Sequence, residues 1–236
     1  MSNTNQLGLP LLQPVQAQKH VTVNGALMRL DGLVELTLAS RSLPTPPGVV
    51  ADGVCYGVPF GAVNEWAGQD GKIAIGSNGG WDFATPKRGW RAMILDEGAQ
   101  ALFDGTLWRE GMVTLSPNNA GMSFQVAEID HVISAGPVST TAVLIPSNAV
   151  VFGATARVVT AITGTLANWA LGNPGAVGRY GSGIGKATGA WARGVLGQPT
   201  AFYAPEVMQL NATGGDFAGG VVRIAVHYME IALPDQ

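Results

Sequence analysis

In residues 220–232, GVVRIAVHYMEIA, large apolar side chains alternate with side chains of mixed polarity. Because successive side chains of an extended strand point to opposite faces, the apolar residues share one face and residues such as Arg223 share the other. The apolar face is predicted to carry Val222, Ile224, Val226 and Tyr228. Several strand-like runs with Gly-rich turns accompany this stretch, and no segment of helical period follows residue 40. The sequence therefore predicts a mainly β protein whose last domain is a jelly-roll-like β-sandwich.

The composition favours the same fold class. Only 12% of the 236 residues are charged, against about a quarter in ordinary domains, whereas 33 glycines and 14 prolines favour a turn-rich body. The net charge of -3 creates no field that attracts nucleic acid, and no run of about 18 apolar residues is present to span a membrane. We therefore expect no nucleic-acid partner and no membrane insertion, and the first residues lack the basic segment of a signal peptide.

The N-terminal part is predicted to contain an arm and one helix. Residues 1–20 are expected to be extended, because prolines lack a backbone donor and bias their predecessors away from helix. Apolar residues then recur at spacings of 4, 3, 4 and 4, which predicts a helix over about 22–40. Two glycines each cost about 1 kcal/mol relative to alanine, so the helix needs a partner surface, either its own chain or other copies. The apolar stripe consists of Val23, Leu27, Leu30, Val34 and Leu38.

Two domains are predicted, at residues 1–115 and 120–236, because Ser, Pro, Asn and Gly crowd between them. In the first, residues 50–110 are expected to form a small antiparallel β module. Asp104-Gly105 is typical of a two-residue type I′ hairpin, and Gly79-Gly80 is a second candidate turn. Trp66, Trp81, Trp90 and Trp108 are expected to pack in this module.

Residues with catalytic or metal-binding potential do not form a recognisable motif. GSGIGKATG, residues 181–189, fails as a phosphate loop because Tyr180 stands where glycine is required, so it is expected to be a flexible surface loop. The three histidines are isolated in sequence, and the single Cys55 is expected to be a buried strand residue. Glu128 and Asp130 could share a strand face at a spacing found in glycosidases, but such spacing is common. We expect no enzymatic activity, no metal and no cofactor.

A binding site is predicted from aromatic residues in the Gly-rich segment 164–205. Aromatic rings offer flat faces for sugars, and loops on a rigid sandwich are usual places for binding. The predicted carbohydrate site comprises Asn168, Trp169, Asn173, Arg179, Tyr180, Trp191, Tyr203 and Asp216.

Two motifs carry a resemblance to a known family. QAQKHVTVN at residues 16–24 and GWRA at residues 89–92 recur in order in proteins with an uncharacterised domain, encoded by alphaproteobacterial phages, prophages and gene transfer agents. The resemblance covers about residues 7–110, and the remainder is similar to the sandwich often fused behind that domain. It implies a tail fibre or head spike, made in the bacterial cytoplasm and released by lysis, whose distal domain contacts host surface polysaccharide.

The resemblance also implies how the chain is assembled. Residues 16–27, including His20, would contact a neighbouring subunit or another particle component, and the apolar stripe would form a helical bundle in a trimer. Two alternatives remain open: a polysaccharide depolymerase, which usually needs a repeat solenoid that this sequence lacks, and a purely structural connector or decoration protein.

Overall fold

A computed structural model describes residues 3–12 and 19–235, with the backbone alone at Lys19 and His20. The predicted role of the His20 side chain and the predicted extended conformation of residues 13–18 therefore lie outside what the structure describes. The chain divides into two compact units, Met1–Met112 and Val113–Gln236. Each unit has its own hydrophobic core, and each is described by itself below.

In the first unit, the described residues form one α-helix, a short 3-10 helix and a seven-stranded sheet with the order β4-β3-β2-β1-β5-β6-β7. The two-residue strand β1 pairs in parallel with both neighbours, and the other four strand pairs of this sheet are antiparallel. The sequence predicted an antiparallel module, and this prediction is wrong for the two parallel pairs that β1 forms. The elements are α1 (Lys19–Leu33), β1 (Thr37–Leu38), β2 (Cys55–Gly57), a 3-10 helix (Asn64–Trp66), β3 (Ile73–Ser77), β4 (Gly80–Ala84), β5 (Arg91–Ile94), β6 (Ala99–Phe103) and β7 (Trp108–Glu110).

The helix ends seven residues before its predicted end. Glu35 has a φ of 51°, in the left-handed region that often follows the last turn of a helix. The chain then becomes extended, and Leu36 and Leu38 are both buried in the core of the unit. The prediction that Leu38 belongs to a helical stripe is wrong, because it lies in β1 and its spacing from Leu36 is that of a strand.

Residues 3–12 fold back onto the helix instead of forming an extended arm. The fully buried carboxylate of Asp31 accepts hydrogen bonds from the backbone N–H groups of Gln6, at 2.9 Å, and Leu7, at 2.6 Å. It also accepts one from the Thr4 hydroxyl at 2.7 Å. Three donors on one carboxylate hold this segment in a compact loop, which corrects the predicted extended conformation for these residues.

The turn between β3 and β4 consists of Asn78 and Gly79, with φ values of 51° and 75°. Two successive positive φ angles are typical of a type I′ turn, for which Asn-Gly is a preferred pair. The turn therefore lies one residue before the predicted Gly79-Gly80 pair.

The β6–β7 hairpin has a four-residue loop, Asp104 to Leu107. The buried Asp104 carboxylate accepts hydrogen bonds from the N–H groups of Thr106 and Leu107, both at 2.7 Å. Only Gly105 in this loop has a positive φ, so the predicted two-residue type I′ turn is wrong. The side chain of Asp104 supplies the acceptors that shape the loop.

The second unit is a jelly-roll sandwich. Its two sheets have the orders β14-β11-β16-β9-β8 and β10-β15-β12-β13, and the eight strands from β9 onward follow the jelly-roll topology. The predicted fold class is confirmed. The strands are β8 (Met112–Leu115), β9 (Gly121–Val132), β10 (Val138–Ile145), β11 (Ala149–Gly164), β12 (Asn168–Asn173), β13 (Ala176–Ile184), β14 (Trp191–Phe202), β15 (Glu206–Thr213) and β16 (Phe217–Ala232).

The alternation in β16 produces the core of this sandwich. Val222, Ile224 and Val226 are fully buried, and they share one cluster with Trp169 and Leu210 of the other sheet. Arg223 and His227 lie on the opposite face of the strand, where Arg223 is exposed and His227 is partly exposed. The inner face of β16 is thus the one predicted from the sequence, and its outer face is available for another role.

Candidate functional site

Three residues of the predicted carbohydrate site lie in the sandwich interior. Trp169 is fully buried and donates its indole N–H to the carbonyl of Gly185 at 2.9 Å. Asn173 and Tyr180 are also buried. A ring that stacks on a sugar must present a face to solvent, so these three side chains do not contribute to a surface site.

The other five residues are at least partly exposed but do not converge. Trp191 begins β14 and Tyr203 follows its end, so about 12 residues of strand, on the order of 40 Å, separate them. Arg179 lies 5.6 Å from the ring of Phe202, near the Tyr203 end. Asp216 and Asn168 lie in or beside other strands. The predicted residues therefore do not form a single site.

Trp191 lies instead in a row of polar side chains on the outer face of the five-stranded sheet. Arg157 of β11 is its register partner, Arg223 of β16 is the partner of Arg157, and Asp130 of β9 is the partner of Arg223. Directly opposed residues in antiparallel strands lie about 4.5–5.5 Å apart. The four side chains consequently form a continuous band across four strands.

A second row lies two residues along each strand, on the same face, and consists of Arg193, Thr155, Ala225 and Glu128. We call the two rows together the arginine face. The short side chains of Thr155 and Ala225 lie between longer ones, and this leaves an open depression of about 590 Å³. Trp191, Arg157, Arg193, Arg223 and Glu128 also line that depression.

One arginine of this face is neutralised by its neighbours. Arg223 donates two hydrogen bonds of 2.7 Å to the two carboxylate oxygens of Asp130, and Glu128 lies 3.7 Å from its Nε. The hydrogen bond from Arg223 lowers the pKa of Asp130, and the same bond raises the pKa of Arg223. Both carboxylates of the arginine face are thus directed at the same guanidinium group.

The other two arginines keep their charge uncompensated. Among the described residues, Arg157 and Arg193 form no hydrogen bond and no ion pair with a side chain. The guanidinium carbon of Arg193 lies 5.8 Å from the centroid of the Trp191 ring, within cation–π range. The Trp191 side chain is 61% exposed. This end of the arginine face combines an aromatic surface with two arginines that no described carboxylate neutralises.

Arg157, Arg193 and Thr155 were missed by the sequence analysis. The sequence contained one signal for them, in the triplets TAR (residues 155–157) and WAR (residues 191–193). The first and third residues of each triplet are two positions apart, so in a strand their side chains lie on the same face. That signal does not show that the two strands are neighbours. Only the register between β11 and β14 brings the triplets together.

The histidines and the lysine-containing loop do not form a site. Within residues 3–12 and 19–235, no group of three or more His, Cys, Asp or Glu side chains is placed to hold a metal ion. His131 lies 2.7 Å from the Ser139 hydroxyl, and burial lowers the pKa of His131. Lys186 donates to the carbonyl of Leu166 at 2.8 Å. The start of the predicted flexible loop, Gly181 to Ile184, is part of β13, which corrects that prediction.

In the first unit, the predicted oligomerisation stripe is only partly buried. Val23, Leu30 and Val34 are exposed, and Leu27 is half-buried.

The four tryptophans pack as predicted, with Trp66 fully buried and the others at least partly buried. Cys55 is buried in β2, as predicted, and burial raises the pKa of its thiol to about 12. The described part of the chain contains no helix with the length and apolar character needed to cross a membrane.

Comparisons with known proteins give similarities to a family model and to solved structures. A family model described as "Protein of unknown function (DUF2793)" matches residues 23–109. No curated protein matches the chain. Among solved structures, a chain of the "Cyanophage Pam1 capsid asymmetric unit" is similar at 22% identity, over 47% of this chain and 86% of that chain, with a TM-score of 0.29. A similarity at that TM-score supports no argument about function, so the second unit is described by its own topology alone. The first unit is similar to a family of unknown function.

Proposed function

We propose that this protein is a structural component of a phage or gene transfer agent particle, a tail fibre or head spike, that mediates adsorption to host surface polysaccharide. The observation that supports the proposal best is the exposed Trp191 on the arginine face of the jelly roll. The family match at residues 23–109 covers most of the region in which the sequence resembles particle proteins. Adsorption is assigned to the second unit and attachment to the first.

The chemistry of the arginine face suits a sugar. A sugar ring presents an apolar C–H face that packs on an aromatic side chain and hydroxyl groups that accept hydrogen bonds from guanidinium. Trp191 supplies the first surface and its neighbours Arg157 and Arg193 supply the donors. Because the groups stand on paired strands of a sheet, their spacing is set before the ligand arrives, which reduces the entropy lost on binding.

The first unit would attach the protein to the particle and to other copies of itself. The exposed apolar residues on one helix, among them Val23 and Leu30, favour burial against a partner, and a trimer is the assembly that we propose. Several copies on one particle would raise the overall affinity for a repetitive polymer, because each further contact is intramolecular.

Binding without hydrolysis is part of the proposal. A glycosidase needs one carboxyl group with a raised pKa to act as general acid. Of the two carboxylates on the arginine face, Asp130 has a lowered pKa, since Arg223 donates hydrogen bonds to it. We expect no release of reducing ends when the full chain is incubated with purified surface polysaccharide; release would favour the depolymerase alternative.

The adsorption test compares two variants of exposed residues. Trp191→Ala removes the aromatic surface, whereas Val177→Ala shortens an exposed side chain on β13 in the other sheet. We expect Trp191→Ala to abolish retention of the full chain on immobilised bacterial surface polysaccharides, and Val177→Ala to leave it unchanged. Equal retention of both variants, or no retention of the unchanged protein on any polysaccharide tested, would contradict the proposal.

A further inference from the structure

We infer that the arginine face binds an acidic polysaccharide, with a sugar carboxylate held by Arg157 and Arg193 while the ring stacks on Trp191. The inference rests on the proposed function and adds to it the chemical class of the ligand. The site lies on one face of the jelly roll and includes two residues, Arg157 and Arg193, that were not predicted from the sequence.

The positions of the three side chains suit one acidic sugar unit. Arg157 is the direct cross-strand partner of Trp191, and Arg193 lies two residues from Trp191 on the same face. Cross-strand partners are about 5 Å apart, and alternate residues of a strand are about 7 Å apart. A ring that covers Trp191 would therefore place a carboxylate substituent within reach of both guanidinium groups.

The distribution of charge favours an anion over a neutral sugar. Like charges on neighbouring strands are destabilising, and Arg157 lies between Arg223 on one side and the Trp191–Arg193 pair on the other. Asp130 and Glu128 relieve this repulsion only at Arg223. A ligand carboxylate would supply the missing negative charge, and guanidinium binds carboxylates through two parallel hydrogen bonds.

A carboxylated sugar fits the face better than nucleic acid does. The chain has a net charge of -3, whereas nucleic-acid-binding domains usually carry a broad basic surface. Among the described residues of this face, the positive charge that no carboxylate neutralises is that of Arg157 and Arg193, beside one tryptophan. On the far side of Arg223 the face carries the carboxylates Glu128 and Asp130. The pair of arginines suits one charged group on a sugar rather than a run of phosphates.

The test uses the full chain and four named probes: polygalacturonate, the same polymer after carboxyl reduction, dextran as a neutral polymer, and a DNA duplex of about 20 base pairs, long enough to offer a run of phosphates. The variants are Arg157→Gln, Arg193→Gln and the double variant, with the exposed Arg91→Gln on β5 as the charge-matched control. Because the two arginines make no hydrogen bond or ion pair with described residues, we expect unchanged circular dichroism and thermal unfolding.

We expect polygalacturonate to bind and the two neutral polymers to bind at least about tenfold more weakly. Each arginine substitution should weaken binding by about tenfold, because a hydrogen bond to a charged group is lost, and Arg91→Gln should not. Equal binding of the acidic and neutral polymers, dependent on Trp191 but not on the arginines, would overturn this inference and leave the proposed function standing. Arginine-dependent binding of DNA but not of polygalacturonate would also overturn it. Failure of every polysaccharide to bind would contradict both.

Discussion

The carboxylate of Asp31 accepts a hydrogen bond of 2.6 Å from the backbone N–H of Leu7, and this joins the beginning of the chain to the last turn of the helix. Asp31→Ala would leave the N–H groups of Gln6 and Leu7 and the hydroxyl of Thr4 without this acceptor. We expect the unfolding free energy to fall by about 1–3 kcal/mol and the two amides to exchange with solvent faster. Hydrogen exchange and urea unfolding measure both effects. The exposed Asp96→Ala is the control, and equal exchange in the two variants would contradict the role of Asp31.

The free energy of unfolding should decrease in two steps as the pH is lowered. Burial alone would raise the pKa of Asp31 and of Asp104, but hydrogen bonds to these carboxylates, chiefly from the backbone N–H of Leu7 and of Leu107 respectively, outweigh it and lower both pKa values below 3.8. Their contribution to stability is present above that pH and is lost as the pH falls through the folded-state pKa. Burial lowers the pKa of His131 below 6.5, so its contribution is present above pH 6.5 and is lost as the pH falls below that value.

Urea unfolding at about pH 7.5, about pH 5.5 and about pH 3.5 separates the two steps, because the first two values lie on either side of the histidine step and the third lies within the carboxylate step. His131→Gln removes the titrating ring and keeps a polar group beside Ser139. In this variant the decrease between the first two pH values should be smaller, and the decrease at the lowest pH should remain. An unchanged profile would show that His131 is not responsible for the upper step.

Gly194 is required by the close approach of two strands. A Cβ atom at this position would collide with the backbone of Tyr180, which cannot move as a flexible side chain can. Gly194→Ala should therefore lower the unfolding free energy by about 1–3 kcal/mol or more. Gly197→Ala on the same strand is the matched control, because a Cβ there meets nothing within 4 Å. Equal thermal stability of the two variants would contradict this account of the packing.

Two tryptophans should respond to substitution in opposite ways. Trp169→Ala removes a fully buried ring and should lower the unfolding free energy by about 3–5 kcal/mol. Trp191→Ala removes an exposed ring and should change stability by less than about 0.5 kcal/mol while abolishing retention on polysaccharide. Parallel measurements of unfolding and binding distinguish the two. A stable Trp169→Ala protein that has lost binding would instead favour the site predicted from the sequence.

The helix stripe makes a separate prediction about assembly. Val23→Ser and Leu30→Ser introduce polar groups at exposed positions of α1, so the fold should persist while a trimer that buries them should dissociate. Light scattering gives the mass of the unchanged chain and of the double variant. The exposed Val113→Ser on β8 is the control. A single-chain mass for the unchanged protein would reject the trimer.

The strand pattern of the second unit was predictable because its signal is local. In β16, the alternation around Ile224 and Val226 already identifies the buried face. The end of the helix was not predictable from the spacing of apolar residues. Val34 and Leu38 are four residues apart, as in a helix, although the backbone leaves the helix at Glu35, which has a positive φ. Trp169 was wrongly placed in a surface site because its position in a Gly-rich segment favoured a binding role, whereas almost every residue of its strand is buried within the sandwich.

The arginine face was not predictable for a different reason. Its residues come from β9, β11, β14 and β16, and their order across the sheet is not their order in the chain. Trp191 and Arg157 become neighbours through register alone, and Arg223 joins them from a strand that comes later still. Local periodicity gives the face on which each residue lies, but only the pairing of strands gives its neighbours.

The central position of β16 between β9 and β11 has a consequence for synthesis of the protein. Until Phe217–Ala232 have left the ribosome, the two flanking strands have no partner between them, and each exposes an unpaired edge. Until then the incomplete jelly roll exposes strand edges on which other chains can pair and aggregate. Because the pairs that β16 makes are distant in sequence, closure of the sandwich is also expected to be the slow step of folding.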